Sequence, residues 1–305
     1  MKKLLALVLI VCALFALTSC GAEKYELAIG VAVANPGESL KTSETVAAVI
    51  FDEDGKIVAC RIDAVDVELS ISDNGLVVNK EYKTKDELGY DYKMAEYAQT
   101  KEWFEQARAF ESFVVGKTVA EVEGIDPGRK TLVAGCTIDM TDFVKAIVAA
   151  GKDNYKVAFE SKDVPTLGVS AVTAVANPVT DGEADPTKAE ITVDFGAVAM
   201  VEGEVVAATL DCAAATLSYA KNEDAYKCTG FDFKGTKRAQ GDNYNMVAWG
   251  GAIGEWYEQA QAFANTAVGK TASEVAALGT EGVAGCTIYA GSMKQALDKA
   301  AQHVR

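Results

Sequence analysis

The chain has 305 residues, half of them apolar, and carries a net charge of −15 because 44 acidic residues outnumber 29 basic ones. This length and apolar content are sufficient for two domains with hydrophobic cores. The negative charge argues against binding of nucleic-acid phosphates and against a polybasic membrane-binding patch. One histidine, His303, is too few for a Ser-His-Asp or Cys-His centre or a multi-histidine metal site. We therefore predict no catalytic residue and no metal ligand.

The first residues have the three parts of a secretion signal. Lys2 and Lys3 form a basic start, residues 4–17 form an apolar run, and Thr18 and Ser19 are small. The apolar run of about fourteen residues is shorter than the roughly twenty that span a bilayer as a helix. A cleaved signal is therefore favoured over a permanent transmembrane anchor.

The segment LTSCG at 17–21 resembles a bacterial lipobox. The resemblance implies cleavage before Cys20 and attachment of two or three lipid chains to that residue. It predicts a signal peptide at 1–19, a short lipidated tether at 20–25, and a location on the extracytosolic face of a cell membrane. Cleavage would remove two lysines and no acids, so the net charge would become −17. An ordinary signal peptide with a chance cysteine is the alternative.

The chain after the tether begins with predicted strands and continues with predicted helices. Residues rich in β-branched side chains predict strands at 44–51 and 56–67, joined by a hairpin turn at 52–55, and a third strand at 76–82. Apolar residues at helical spacing and helix-start signals then predict three helices. They are one at 101–115, a short one from Thr118 and a last one from Thr141.

A second series of the same elements follows a polar segment. Lys, Asp, Ser and Pro at 152–168 are typical of an exposed linker. Beyond it, the sequence predicts hairpin strands at 189–200 and 204–210 and helices at 253–267 and 292–302.

The two series match each other in sequence as well as in order. Residues 27–36 recur loosely at 169–178, and the block at 92–138 recurs at 244–288 with its YxM, EWxEQA, VGKT and VAGCTI segments in the same order and at similar spacing. The predicted fold class is therefore α+β, with two repeated domains, each a twisted, mainly antiparallel sheet packed by helices. Their predicted bounds are 26–151 and 169–305.

The VAGCTI segment of each copy follows a strand-rich region and a Gly-Lys-Thr helix start. In this setting it resembles the carboxy-terminal motif of extracytosolic FMN-binding domains. That family includes flavinylated subunits of ion-pumping electron-transfer complexes and lipid-anchored extracellular electron-transfer proteins. The resemblance implies that Thr137 and Thr287 match the threonine that can carry FMN through a phosphoester bond. It also implies that Gly135 and Gly285 let the backbone approach the phosphate.

Three positions of the motif differ from the family pattern, which is Asp, two residues, Ser or Thr, Gly, Ala and Thr. Covalent FMN, noncovalent FMN and a fold without flavin therefore stay open as alternatives. Of the two threonines, Thr287 is the better candidate for covalent attachment, because an acidic residue stands at the Asp position. The substituted positions are Thr131 and Glu281 for Asp, Ala134 and Ala284 for Ser or Thr, and Cys136 and Cys286 for Ala.

The cysteines allow few kinds of site. Cys136 and Cys286 are candidate ligand-contacting thiols, but a small buried residue after glycine in a tight turn explains them as well. The chain has no CxxC pair, which argues against haem attachment and iron–sulfur ligation. Cys212 and Cys228 could form a disulfide.

Trp103 and Trp256 stand at matching positions of the two copies and could stack on a flavin ring. Their helical register with other apolar residues favours packing in the core.

Together these features predict a lipid-anchored extracytosolic protein that binds FMN and carries electrons between a membrane donor and an external acceptor. It would be an electron carrier or binding protein rather than a stand-alone enzyme. The alternative is a noncatalytic surface lipoprotein, with a ligand-binding, adhesion or envelope role, that keeps the fold without flavin. The predicted partners are the membrane, through lipidated Cys20, and a membrane redox donor, with no nucleic acid. The predicted cofactor-binding residues are Gly135, Cys136, Thr137, Gly285, Cys286 and Thr287.

Overall fold

The computed structural model describes residues 22–98, 100–223 and 225–305. The predicted signal peptide and Cys20 lie outside the described residues. Within the described ranges the chain combines antiparallel sheets with helices, which confirms the predicted α+β class. No helix in these ranges is both long and apolar enough to cross a membrane.

The N-terminal half of the chain forms a four-stranded antiparallel sheet. Its strands are β1 (Glu23–Val33), β2 (Lys41–Asp52), β3 (Ile57–Glu68) and β4 (Val157–Ser161). Their order across the sheet is β3–β2–β1–β4. The predicted turn between β2 and β3 is confirmed: Asp52 Oδ1 accepts a hydrogen bond from the Lys56 amide at 2.8 Å, and Gly55 has a φ of +72°.

The C-terminal half forms a second four-stranded antiparallel sheet, in the order β10–β9–β8–β5, and a small two-stranded ribbon of β6 and β7. The strands are β5 (Thr166–Ala176), β6 (Val179–Thr180), β7 (Glu183–Ala184), β8 (Lys188–Val201), β9 (Glu204–Asn222) and β10 (Ala225–Phe233).

The two sheets pack face to face around a shared core. Leu27 and Ile29 of β1 belong to the same buried cluster as Ile191 and Phe195 of β8. Successive strand residues point to opposite faces, so the other face of each sheet is covered by the helices of its own half. The molecule therefore has four layers, in the order helix, sheet, sheet, helix.

Five α-helices are described in each half, and the predicted ones are present. Glutamates start the two long helices that follow the sheets, because each exchanges backbone hydrogen bonds with the glutamate three residues later. In the N-terminal half the helices are α1 (Lys85–Leu88), α2 (Met94–Ala98), α3 (Trp103–Val114), α4 (Val119–Glu123) and α5 (Thr141–Gly151). In the C-terminal half they are α6 (Lys237–Gln240), α7 (Met246–Gly250), α8 (Trp256–Ala264), α9 (Ala272–Ala276) and α10 (Gly291–Gln302).

The last helix of each half lies unusually close to its sheet, and a strand glycine permits the approach. A Cβ on Gly30 of β1 would lie 2.1 Å from the Ala150 amide nitrogen of α5. A Cβ on Gly168 of β5 would lie 2.0 Å from the Ala300 carbonyl oxygen of α10. Any side chain at these positions would push the helix off the sheet.

The predicted linker at 152–168 is corrected by the structure. Residues 157–161 form β4, which pairs with β1, and β5 begins at Thr166. Only residues 162–165 connect the two sheets. The sequence of this segment is polar because β4 is an edge strand in which alternate residues are exposed.

The strand pattern also differs from the prediction elsewhere, and β5, β6 and β7 are among the strands that were not predicted. Residues 76–82 form no strand, and Val77 makes only an isolated bridge to Ile71. The Val77 amide donates instead to Asn177 Oδ1 in the other half, at 2.8 Å. The strand predicted at 204–210 continues to Asn222 and pairs with the unpredicted β10. The unpredicted β1 is a central strand of the first sheet.

Candidate functional site

Thr137 lies on a tight turn between α4 and α5. Gly135 has a φ of +86°, which a side chain would disfavour, and the Cys136 amide donates to the Val133 carbonyl at 3.1 Å. The side-chain oxygen of Gln106, a buried residue of α3, accepts hydrogen bonds from the Thr137 amide at 2.8 Å and the Thr137 hydroxyl at 3.2 Å. The turn is thus fixed, while Thr137 itself is exposed.

Thr287 lies on a matching turn before α10. Gly285 has a φ of +82°, and the Cys286 amide donates to the Val283 carbonyl at 3.1 Å. The side-chain oxygen of Gln259, in α8, accepts from the Thr287 amide at 2.9 Å and from its hydroxyl at 3.0 Å. Thr287 is also exposed. The two predicted threonines therefore occupy the same local geometry.

Each glutamine joins its threonine to the residue just before the helix-capping glutamate. Gln106 Nε2 donates to the Lys101 carbonyl at 2.8 Å, and Gln259 Nε2 donates to the Gly254 carbonyl at 2.8 Å. Because both ends of each buried amide are satisfied, the glutamine cannot rotate without losing hydrogen bonds worth about 1 kcal/mol each. The threonine turn and the helix start form one rigid unit.

The capping glutamates attach a short helix to each unit. Glu102 accepts from the Met94 amide at 2.9 Å, at the start of α2, and Glu255 accepts from the Met246 amide at 2.8 Å, at the start of α7. Both glutamates are buried. A carboxylate that binds helix-start amides is stabilised by the helix dipole. α2 and α7 are therefore held beside the two threonine turns.

Each of these short helices carries one highly exposed aromatic residue. Tyr97 of α2 is 81% exposed and Trp249 of α7 is 87% exposed. They stand at matching positions, three residues after Met94 and Met246. Neither residue was predicted from the sequence as part of the site. The recurrence of an aromatic residue at the same place in two matching blocks could have indicated them.

The aromatic residues considered from sequence have a different role. Trp103 and Trp256 are 4% and 5% exposed and belong to the helix-covered cores. The Trp103 ring packs edge-on against Phe143 at 5.6 Å between centroids. Their prediction as core residues is confirmed.

The two cysteines of the motif differ in exposure. Cys136 is fully buried, and burial raises the pKa of its thiol. It therefore packs into the core behind the turn, away from any ligand at the surface. Cys286 is half-buried, and burial likewise raises the pKa of its thiol. Neither group has the lowered pKa of a reactive thiol.

The considered Cys212–Cys228 disulfide is absent, since both residues are free cysteines. Cys212 faces the helix-covered core of the second sheet, whereas Cys228 faces the core between the sheets. A sheet therefore separates the two thiols.

The charges around the two turns are different. A Cβ placed on Gly135 would lie 3.2 Å from Lys101 Nζ, so an ammonium group stands over the first turn. Gly254 occupies the matching place in the C-terminal half, where residues 239–269 contain no lysine, arginine or histidine. The first turn thus has an ammonium group that can attract an anion, and the residue at the matching place in the second half is a glycine.

The crevice between the two halves is a separate feature, with a volume of about 270 Å³. Arg238, 1% exposed, lines it and donates from Nε to Asp153 Oδ2 at 3.0 Å. Asp211 lies beside them, and burial raises its pKa to about 6. Because the Arg238 guanidinium is bonded to protein groups, we interpret this crevice as an ion-paired contact between the halves.

The residues at the turns fit the phosphate and ring of FMN in part. The exposed hydroxyls, the glycines and the exposed aromatic residues suit such a ligand, and Lys101 suits its phosphate. The amides of Thr137 and Thr287, however, already donate to glutamine. Comparison with family models, curated proteins and solved structures gives no match.

Proposed function

We propose that this chain is a lipid-anchored extracytosolic protein with two repeated FMN-binding-like domains, which binds FMN at the Thr137 and Thr287 turns and carries electrons between a membrane donor and an external acceptor. The observation that carries the proposal is the recurrence of one arrangement, an exposed threonine on a glycine turn fixed by a buried glutamine. When bound, FMN supplies the redox chemistry. The protein's contribution is binding, orientation and charge.

Recurrence supports both the repeat and the ligand site. The sequence matches at 92–138 and 244–288 coincide with matching hydrogen bonds at Gln106 and Gln259. Packing alone requires neither an exposed threonine nor an exposed aromatic residue at both places. Ligand binding accounts for both, because the hydroxyl and the ring are then used outside the fold.

The membrane attachment rests on the lipobox resemblance at 17–21 and on the charge. The described residues begin at Ala22 and enter β1 at Glu23, so the tether leaves little distance between Cys20 and the first sheet. With a net charge of −15, lipid is a better source of membrane attachment than basic residues.

A second candidate function is a surface lipoprotein with a ligand-binding, adhesion or envelope role and no flavin. It is favoured by the engagement of both threonine hydroxyls and amides with Gln106 and Gln259. An oxygen esterified to phosphate would lose its proton and hence its hydrogen bond to glutamine. Noncovalent FMN does not require that loss.

The test is to produce the chain from Gly21 onward together with a flavin transferase, then to record its visible spectrum and intact mass and to titrate it with free FMN. The proposal predicts that the protein shows flavin absorbance, either from covalently attached FMN or after titration with free FMN. Thr137→Val and Thr287→Val should each lower the bound amount by about half. The exposed Thr229→Val is the matched control. A colourless protein of unmodified mass that does not bind FMN would leave the second candidate.

A further inference from the structure

The two threonine turns present different side chains to a ligand on one backbone frame. Lys101 stands over Gly135 in the N-terminal half, and its carbonyl oxygen is tied through Gln106 to Thr137. The backbone of Lys101 and the threonine thus belong to the same rigid unit, which places the ammonium group near the turn. An ammonium group so placed favours a ligand that brings a negative charge.

The Asp139 carboxylate, two residues after Thr137, does not cancel the effect. Asp139 Oδ1 accepts from the Thr141 amide at 2.8 Å, at the start of α5, and hydrogen bonds from Thr141 lower the pKa of Asp139. Its charge is directed to the helix start. Lys101 is exposed and free to rotate toward a ligand.

The C-terminal turn has Gly254 in place of Lys101 and an aromatic side chain in place of Asp139. Tyr289 occupies the position of Asp139 and is 83% exposed, and Trp249 is 87% exposed. Ile253, between α7 and the capping Glu255, is 65% exposed. Large apolar side chains are usually buried, because exposure of each costs about 1.5–3 kcal/mol. Tyr289 follows Thr287 by two residues, and Ile253 and Trp249 lie on the segment that Gln259 and Glu255 join to this turn. Three exposed apolar side chains on these linked segments indicate a surface that is covered when a ligand binds.

We propose that the two turns select different chemical features of their ligand: the Thr137 turn requires a phosphate, through Lys101, and the Thr287 turn takes an uncharged planar aromatic ring, through Trp249. This inference rests on the proposed function, because both turns must be ligand sites. It goes further by assigning phosphate recognition to one half and ring recognition to the other. The absence of any basic side chain at 239–269 supports the ring as occupant of the second turn.

The test compares FMN with riboflavin, which carries the same ring without the phosphate, by calorimetric titration of the chain from Gly21 onward. Two FMN molecules and one riboflavin molecule should bind per chain. Lys101→Gln should weaken one FMN site at least tenfold and leave riboflavin binding unchanged. Trp249→Ala should weaken riboflavin binding at least tenfold and leave one FMN site intact. Both side chains are exposed, so both variants should fold as the parent does.

Two matched controls accompany these variants. Lys117→Gln removes a lysine of the same half that lies over the Phe113 ring, and Val179→Ala removes an exposed apolar side chain on β6. Neither should change the binding of FMN or riboflavin.

The outcomes separate this inference from the proposed function. Two riboflavin molecules per chain, or equal losses of FMN and riboflavin in Lys101→Gln, would overturn the inference while the flavin function stands. Unchanged riboflavin binding in Trp249→Ala would do the same. Failure of the parent chain to bind either flavin would remove both proposals. Binding to uncharged lipid vesicles that Trp249→Ala abolishes, without riboflavin binding, would assign the aromatic surface to a membrane instead.

Discussion

Thr137 and Thr287 are held alike, each by a buried glutamine, yet Lys101 in one half is replaced by Gly254 in the other, and Asp139 by Tyr289. The parts that fix the backbone are the same, and the parts that face solvent are different. The comparison teaches that the backbone frame of such a turn can be kept while its exposed side chains change.

A second contrast between the halves lies in their ion pairs. Arg238 pairs with Asp153 across the halves with side chains 2% and 5% exposed. The matching position to Arg238 in the N-terminal half is Asp86, which pairs with Arg305, whose side chain is 27% exposed. The charge is thus reversed between the halves, and one pair is much more buried than the other.

The largest expected effect tests that contrast. Arg238→Ala should lower the free energy of unfolding by about 3–5 kcal/mol, because it leaves the Asp153 carboxylate buried without its partner. Arg305→Ala should lower it less, by about 1–2 kcal/mol, because Arg305 is partly in solvent and its second partner, Glu111, keeps its ion pair with Arg61. Urea unfolding of both variants measures the difference. Equal losses would show that burial does not distinguish the two pairs.

The next effect concerns Glu44, which is fully buried between the sheets with no hydrogen-bond partner for either carboxylate oxygen. Val193 matches it in the second sheet, since Glu44 and Val193 each stand seven residues before the bulged residue, Phe51 or Met200. Burial raises the pKa of Glu44 to about 8. Glu44→Val should therefore stabilise the protein by about 2–3 kcal/mol at pH 7.

The sign of the pH dependence follows from the raised pKa. Below about pH 4.5 the Glu44 carboxyl is protonated in both the folded and the unfolded chain, so burial costs least there. As the pH rises toward 8, only the unfolded chain ionises, and the stability of the parent protein should fall. Glu44→Val should show a smaller fall between pH 5 and pH 8 in urea unfolding. The same slope in both proteins would contradict a buried, protonated Glu44.

A smaller effect is expected at the glutamines. Gln106→Leu should cost about 1–3 kcal/mol and Gln259→Leu somewhat less, because Gln106 accepts a third hydrogen bond, from the Ile138 amide at 3.2 Å. Hydrogen exchange should become faster at residues 131–139 in the first variant and 281–289 in the second. Unchanged exchange at both turns would mean that glutamine does not fix them.

The smallest effect is a difference in thiol accessibility. Cys286 is half-buried and Cys136 is fully buried, so a small alkylating reagent should modify Cys286 roughly tenfold faster in the native protein. Peptide mass analysis after timed quenching gives the two rates, with urea-unfolded protein as control. Faster modification of Cys136 would reverse the predicted order of exposure.

Local periodicity was sufficient to predict most elements near these sites. The helix at 101–115 was predicted because its apolar residues face one core, and α3 follows that pattern. The turn at 52–55 was predicted because acidic residues and glycine favour it. The strand predicted at 76–82 was wrong. The Val77 amide donates its hydrogen bond to Asn177, which lies far away in the sequence.

The arrangement of the two sheets could not be predicted from either series of elements. β4 belongs to the first sheet although it follows α5, and both sheets share one core. Sequence reasoning located the threonine turns but missed Gln106, Gln259, Lys101 and Trp249. These residues lie 28 to 38 positions from their threonines, and only the fold brings them to the turns.

The most direct test of the central claim is hydrogen exchange of the chain from Gly21 onward with and without saturating FMN. If the two threonine turns are ligand sites, FMN should slow exchange at residues 94–108 and 131–139 in the N-terminal half. It should also slow exchange at 246–262 and 281–289 in the C-terminal half. No change is expected around Arg238 in the crevice between the halves. Slower exchange confined to that crevice, or no change anywhere, would contradict the assignment of the turns as flavin sites.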